Sequence, residues 1–132
     1  MKKIKKRKKN SQPGNHVLIN VHFKKFPISF ESVSFGKKFF REAIKKGNFK
    51  ILKTGFHKFE PQGLTGFFLL SESHLSFHTW PEENHIAIDL FTCSDADPTK
   101  KALNYIVYGL KKYGAKKINY KIIKRGFVYT GL

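Results

Sequence analysis

Four consecutive apolar residues, Phe67-Phe68-Leu69-Leu70, set the tightest limit on how this chain can fold. Successive side chains of a strand point to opposite faces of its sheet, so this run presents apolar surface on both. A sheet with one wet face would instead alternate. The run therefore predicts a sheet covered on both sides, by helices on one and by a second copy of the chain on the other.

The remaining elements follow from periodicity. Val17 to Phe23 is rich in β-branched and apolar residues and predicts a buried first strand. Lys24 to Phe30, with Pro27, reads as a connection. Phe35, Phe39 and Ala43 recur every four residues, with Phe40 and Ile44 widening the stripe, which predicts a helix from Ser34 to Lys46 ended by Gly47. Phe49 to Phe59 reads as a second strand and Pro61 to Gly66 as a loop. Three short strands are expected at Phe67 to Glu72, Leu75 to Trp80 and His85 to Thr92, the last two joined by a turn at Pro81 to Asn84. A second helix is expected to open with Asp97 as N-cap and Pro98 at its first position, to bury Ala102, Ile106, Leu110 and Tyr113, and to stop at Gly114. Lys116 to Arg125 alternates Ile118, Tyr120 and Ile122 with polar residues, as a half-exposed last strand would. The sum is an α+β fold: a two-layer sandwich of a mainly antiparallel sheet with two helices on one face, the sheets of two protomers facing each other in a dimer.

Composition narrows the class. The chain has 132 residues, is 40% hydrophobic and holds 14 Phe, enough for one domain with a genuine core. A single Cys excludes an internal disulfide framework and a multi-cysteine zinc site. No apolar run approaches the ~20 residues of a membrane helix, and no signal-peptide core follows the basic start, so a cytoplasmic protein is expected. The net charge of +17 is unevenly spread: from Glu60 to Thr99 there is no Lys or Arg, and seven of the nine acids lie there. Met1 to Lys9 carries seven of the 26 basic groups. Residues 1–13 are therefore expected to be a basic, disordered tail that attracts nucleic acid or anionic surfaces only non-specifically, ahead of a single domain at 14–132. A basic nucleic-acid-binding module would interleave aromatic residues with Lys and Arg, whereas here the aromatic-rich centre is acidic.

The chemistry-bearing residues crowd into one segment. Ser73, His74, His78 and the only thiol, Cys93, fall within about twenty residues. His74 and His78 on one strand would stand ~13 Å apart, too far to share an ion, so no metal is expected. No Gly-x-Ser-x-Gly elbow supports a serine hydrolase. Taken singly, each of these residues reads as an ordinary strand hydroxyl, imidazole or small buried thiol.

Their combination is more specific. Ser71-Glu-Ser-His-Leu-Ser-Phe-His-Thr-Trp-Pro-Glu82, then Ile88-Asp-Leu-Phe-Thr-Cys93, and upstream Phe56-His-Lys-Phe-Glu-Pro-Gln-Gly-Leu-Thr-Gly66, closely resemble the prokaryotic S-adenosylmethionine decarboxylase proenzymes. The resemblance implies a self-cleaving, pyruvoyl-dependent carboxy-lyase that supplies the aminopropyl donor for spermidine. It implies a cut between Glu72 and Ser73 into fragments 1–72 and 73–132, with Ser73 becoming the pyruvoyl group that forms a Schiff base with substrate. By the same resemblance His78 accepts a proton during processing, Thr65 supports that step, and Cys93 donates a proton in catalysis. Phe59 and Trp80 would offer aromatic faces to adenine, and Glu82 would accept the ribose hydroxyls. The likeness further implies a homodimer of processed protomers. Relatives with this processing motif can instead decarboxylate arginine or ornithine, which stands as the alternative substrate class.

Overall fold

The computed structural model of the chain describes residues 14–71, 73–93 and 96–126. The expected basic tail at 1–13 and Glu72, the residue before the expected cut, lie outside the described residues. The described residues form six strands and two α-helices: β1 (Gly14–Phe23), α1 (Val33–Lys46), β2 (Ile51–Lys58), β3 (Leu64–Leu70), β4 (Ser73–Trp80), β5 (His85–Thr92), α2 (Ala96–Lys112) and β6 (Ala115–Arg125). A short 3-10 turn at Ile28–Glu31 leads into α1, and another at Pro81–Glu83 joins β4 to β5.

The strands form one sheet in the order β2-β3-β4-β5-β1-β6, and every neighbouring pair is antiparallel. Both helices cover one face. Ser32 caps α1 by accepting the Phe35 N–H at 3.3 Å, and Lys45 and Lys46 complement the negative end of the helix. Phe39, Phe40, Ala43 and Ile44 of α1, and Ala102, Leu103, Ile106 and Leu110 of α2, pack on Val17, Ile19, Val21, Phe68, Leu75, Phe77, Ile86 and Leu90 of the sheet. The tightest joint is Phe40 stacked on Phe77, ring centres 4.3 Å apart. Phe77 also crosses β3 at Gly66, where any Cβ would collide with its ring.

β1 starts at Gly14 rather than Val17 and β2 at Ile51 rather than Phe49, and three further boundaries that differ from the expectation bear on the site. β3 starts at Leu64, so half of the expected Pro61–Gly66 loop is strand; Leu64 is fully buried and its N–H donates to Thr79 Oγ1 at 2.9 Å. β4 starts at Ser73, because the ladder closes with Leu70 opposite Ser73 and leaves two residues between the strands. α2 starts at Ala96, which moves Asp97 from the N-cap into the first turn; the buried hydrogen bond between the Thr92 and Thr99 hydroxyls, 2.7 Å, ties this turn to the end of β5. Tyr113 lies just beyond α2 and is half exposed, though its ring still meets Phe30 and Phe35 edge-on.

Among the described residues no helix lies over the other face of the sheet. Register assigns to this open face Thr65, Phe67 and Leu69 of β3, His74, Ser76, His78 and Trp80 of β4, and Ala87, Asp89 and Phe91 of β5. Leu18 and Asn20 of β1 lie alongside. The apolar run that predicted a two-sided sheet is thus split: Phe68 and Leu70 enter the core, while Phe67 is 42% exposed and Leu69 37%. All six histidines of the chain (His16, His22, His57, His74, His78 and His85) also belong to this face. Among the described residues no helix is long and apolar enough to cross a membrane.

Candidate functional site

The sequence-predicted residues form two groups at opposite ends of β4. The first is Ser73 with Cys93. Ser73 opens β4 on the helix-covered side and is only 8% exposed. Its Oγ accepts the Cys93 backbone N–H at 3.4 Å, so the two residues are neighbours although twenty positions separate them. Cys93 is held there because β5 ends at the fully buried Thr92, whose hydroxyl is anchored on α2. The Cys93 thiol is free and partly accessible.

The second group is Thr65 with His78. They are register partners across β3 and β4, and Thr65 Oγ1 hydrogen-bonds His78 Nδ1 at 2.9 Å. Pinning Nδ1 in this way orients the ring and leaves Nε2 facing the open side of the sheet. Trp80 stands two residues on, its ring 5.7 Å from the His78 ring, and is 41% exposed. Phe59 follows β2 at the same end, exposed and 4.5 Å edge-on to His57. Glu82, in the 3-10 turn after β4, accepts from Gln62 Nε2 at 2.8 Å. Phe59, Thr65, His78, Trp80 and Glu82 therefore share one end of the sheet. Glu31 braces that end, accepting Gly63 N–H at 3.1 Å and Lys58 Nζ at 2.9 Å.

Within one chain the two groups do not meet. Five residues of strand put Ser73 and His78 about 16 Å apart, and the odd spacing turns them to opposite faces. Between the two ends the open face carries a hollow of about 350 Å³ floored by small side chains, Asn20, Ser76 and Ala87, and bounded by Leu18, His78 and Asp89.

Sequence reading missed a third constellation. His16, His74 and Asp89 come from three neighbouring strands, and their ligating atoms lie within 4.8 Å of one another. Only tertiary pairing brings His16 to the others, so no local spacing announced it. His74 and His78 both lie on the open face of β4, four residues apart.

Comparison with known proteins agrees with the motifs. A family model described as S-adenosylmethionine decarboxylase matches residues 15–126. The S-adenosylmethionine decarboxylase proenzyme of Sulfurihydrogenibium sp. (strain YO3AOP1) is 41% identical over 87% of this chain and 84% of its own length. The protein of the same name from Persephonella marina is 38% identical with the same coverage. Among solved structures, the adenosylmethionine decarboxylase from Aquifex aeolicus VF5 superposes with a TM-score of 0.79 at 28% identity, covering 92% of this chain and 98% of that one.

Proposed function

Because the chain belongs to the S-adenosylmethionine decarboxylase family, we propose that it matures by severing its own Glu72–Ser73 bond and works as a pair of processed copies. The reaction is release of carbon dioxide from S-adenosylmethionine, giving the aminopropyl donor for spermidine. The arginine or ornithine alternative finds no support among the relatives named above. The reading includes a cytoplasmic enzyme.

In maturation the Ser73 hydroxyl attacks the carbonyl of Glu72. The C–N bond breaks as the ester forms, and the freed amine keeps the proton. Removal of the Ser73 α-proton then expels the Glu72 carboxylate, and hydrolysis with loss of ammonia leaves a keto cap on residue 73. Serine suits both steps because its oxygen is first nucleophile and then leaving atom. The Cys93 N–H on Ser73 Oγ supports this role by holding the attacking oxygen in a nearly dry site. Once formed, the pyruvoyl group supplies a carbonyl that captures the substrate amine and draws electrons from the carbon losing carbon dioxide.

His78 is the base for the α-proton. With Nδ1–H donated to Thr65 Oγ1, Nε2 is the basic nitrogen. It cannot reach Ser73 of its own chain, so it serves Ser73 of a second copy. Two β4 strands crossing antiparallel through the open faces, with the symmetry axis over Leu75 and Ser76, put each His78 end against the other chain's Ser73 end. The exposed Phe67, Leu69, Trp80 and Leu18 provide the apolar surface such a contact buries. The same pairing brings Phe59, Trp80 and Glu82 of one copy to Cys93 of the other. The two rings would then flank adenine, Glu82 would take the ribose hydroxyls, and Cys93 would return the proton to the decarboxylated carbon.

The observation that carries the reading is the splitting of the chemistry into two pairs, Ser73 with Cys93 and Thr65 with His78, each ordered by its own hydrogen bond. Intact-mass analysis combined with release of labelled carbon dioxide from carboxyl-labelled S-adenosylmethionine tests it. Two fragments, the C-terminal one blocked to Edman degradation, are expected to accompany activity; turnover by uncut chains would overturn the proposal.

A further inference from the structure

The cluster of His16, His74 and Asp89 has no part in the proposed chemistry, and we infer that it is a binding site for a divalent transition-metal ion of the zinc class. Two imidazoles and one carboxylate are a donor set such ions accept, with a further position open to water. The three side chains rise from β1, β4 and β5, adjacent strands near the middle of the sheet, so the backbone beneath them is fixed by ladders on both sides. His16 and His74 both sit opposite Phe91, and Asp89 lies two residues along β5 on the same face.

The ring nitrogens already converge. Asp89 Oδ1 is bound by His16 Nε2, and Asp89 Oδ2 lies 3.4 Å from His74 Nε2. Bonds of about 2.0–2.1 Å around a tetrahedral ion separate its donors by roughly 3.3 Å. Side-chain rotation alone brings atoms now within 4.8 Å to that spacing. The cluster is partly sheltered: Phe91 lies edge-on to His16 at 5.4 Å, and Phe67 stacks on His74 at 5.9 Å. Ser73, the residue next to His74, faces the other side of the sheet.

One feature opposes the ion. Arg125 Nη1 stands 3.5 Å from His16 Nδ1, and its guanidinium lies 4.7 Å over the Phe91 ring. Donation from Arg125 to Nδ1 leaves the His16 proton on Nε2, where it is given to Asp89. Metal binding takes the Nε2 lone pair, moves that ring proton to Nδ1 and turns Arg125 away. Arg125 thus competes with the ion, and replacing it with a side chain that can accept the Nδ1 proton strengthens binding. A hard cation such as Mg²⁺ prefers all-oxygen ligands and is not held.

The test uses the full chain without a histidine tag, titrated by calorimetry with Zn²⁺ and Co²⁺, and with Mg²⁺ as control. One Zn²⁺ or Co²⁺ per chain is expected at micromolar concentration, with no Mg²⁺ uptake. His16→Ala and Asp89→Asn each weaken binding at least roughly tenfold, and Arg125→Gln tightens it, changes at a group hydrogen-bonded to a ligating imidazole typically being worth about 10- to 100-fold. His22→Ala, which alters the separate pair formed with His85 at 4.7 Å between rings, leaves the titration unchanged. Imidazole nitrogen NMR of the unaltered chain provides a readout independent of variant folding: Zn²⁺ is expected to shift the His16 proton from Nε2 to Nδ1. No saturation below about 1 mM Zn²⁺, or equal affinity in a folded His16→Ala protein, would overturn the site.

Discussion

Ser73 and His78 occupy the same strand, five residues apart and facing opposite sides of the sheet. No rotamer change brings them together within one chain. If maturation needs both, it needs two chains, and defects at the two positions must complement.

Co-expressing Ser73→Ala with His78→Ala protein is accordingly expected to cut the His78→Ala chain, which keeps a competent serine and borrows the histidine of its partner. Each variant alone stays whole. Mass spectrometry of the mixed sample decides this, and a His78→Ala chain that remains uncut in the mixture would place the base elsewhere.

Cys93 separates maturation from turnover. Its backbone N–H, not its thiol, contacts Ser73 Oγ, so Cys93→Ala preserves that hydrogen bond. The variant is expected to process yet lose at least roughly a hundredfold in carbon dioxide release, the usual scale for loss of a positioned proton donor. Loss of cutting instead would assign the thiol to maturation.

Phe40 is fully buried and stacks on Phe77 at the joint between α1 and β4. Phe40→Ala removes the ring and leaves a cavity, with an expected loss of about 3–5 kcal/mol in denaturant unfolding. Phe40→Leu retains most of the volume and costs less. Since Phe77 runs along the inner side of β4, the larger cavity should also slow cutting at Ser73.

His85 makes stability sensitive to acid. Burial first, and the neighbouring His22 second, pull its pKa below the ordinary 6.5, against a smaller opposing effect of the Val21 backbone. The unfolded chain therefore takes up this proton more readily than the folded one. The contribution is present in full above about pH 6.5 and is lost as the pH falls through the lower folded-state value. Melting temperature measured from about pH 8 down to about pH 5 is expected to fall, and His22→Gln should flatten the fall by removing the neighbouring charge. An unchanged slope in His22→Gln would show that His22 does not drive it.

Much of the architecture could be read from local pattern. The Phe35, Phe39 and Ala43 spacing located α1, the apolar and β-branched richness of Val17 to Phe23 located β1, the alternation of Lys116 to Arg125 located β6, and Asp97-Pro98 found the start of α2 to within two residues. The site residues came from motif resemblance and not from periodicity, and the structure sorted them into two ends. That separation was hidden because linear spacing says nothing of face: an interval of five looks short in sequence and is a half-turn of the pleat in a strand. The His16, His74 and Asp89 cluster was hidden for another reason. Its members are up to 73 positions apart, and only the β1–β5 and β4–β5 ladders join them.

The order of strands has a consequence for a chain broken between β3 and β4. The piece before the break contributes β1, α1, β2 and β3, and the piece after it contributes β4, β5, α2 and β6. In the sheet β1 is inserted between β5 and β6, and β4 is flanked by β3 and β5, so the two polypeptides are dovetailed rather than laid side by side. Neither can slide free without tearing three ladders, β3–β4, β5–β1 and β1–β6, and emptying the shared core. Scission of the backbone would leave a single cooperative body, and its halves would come apart only in denaturant, where reassembly turns from a unimolecular event into a second-order one.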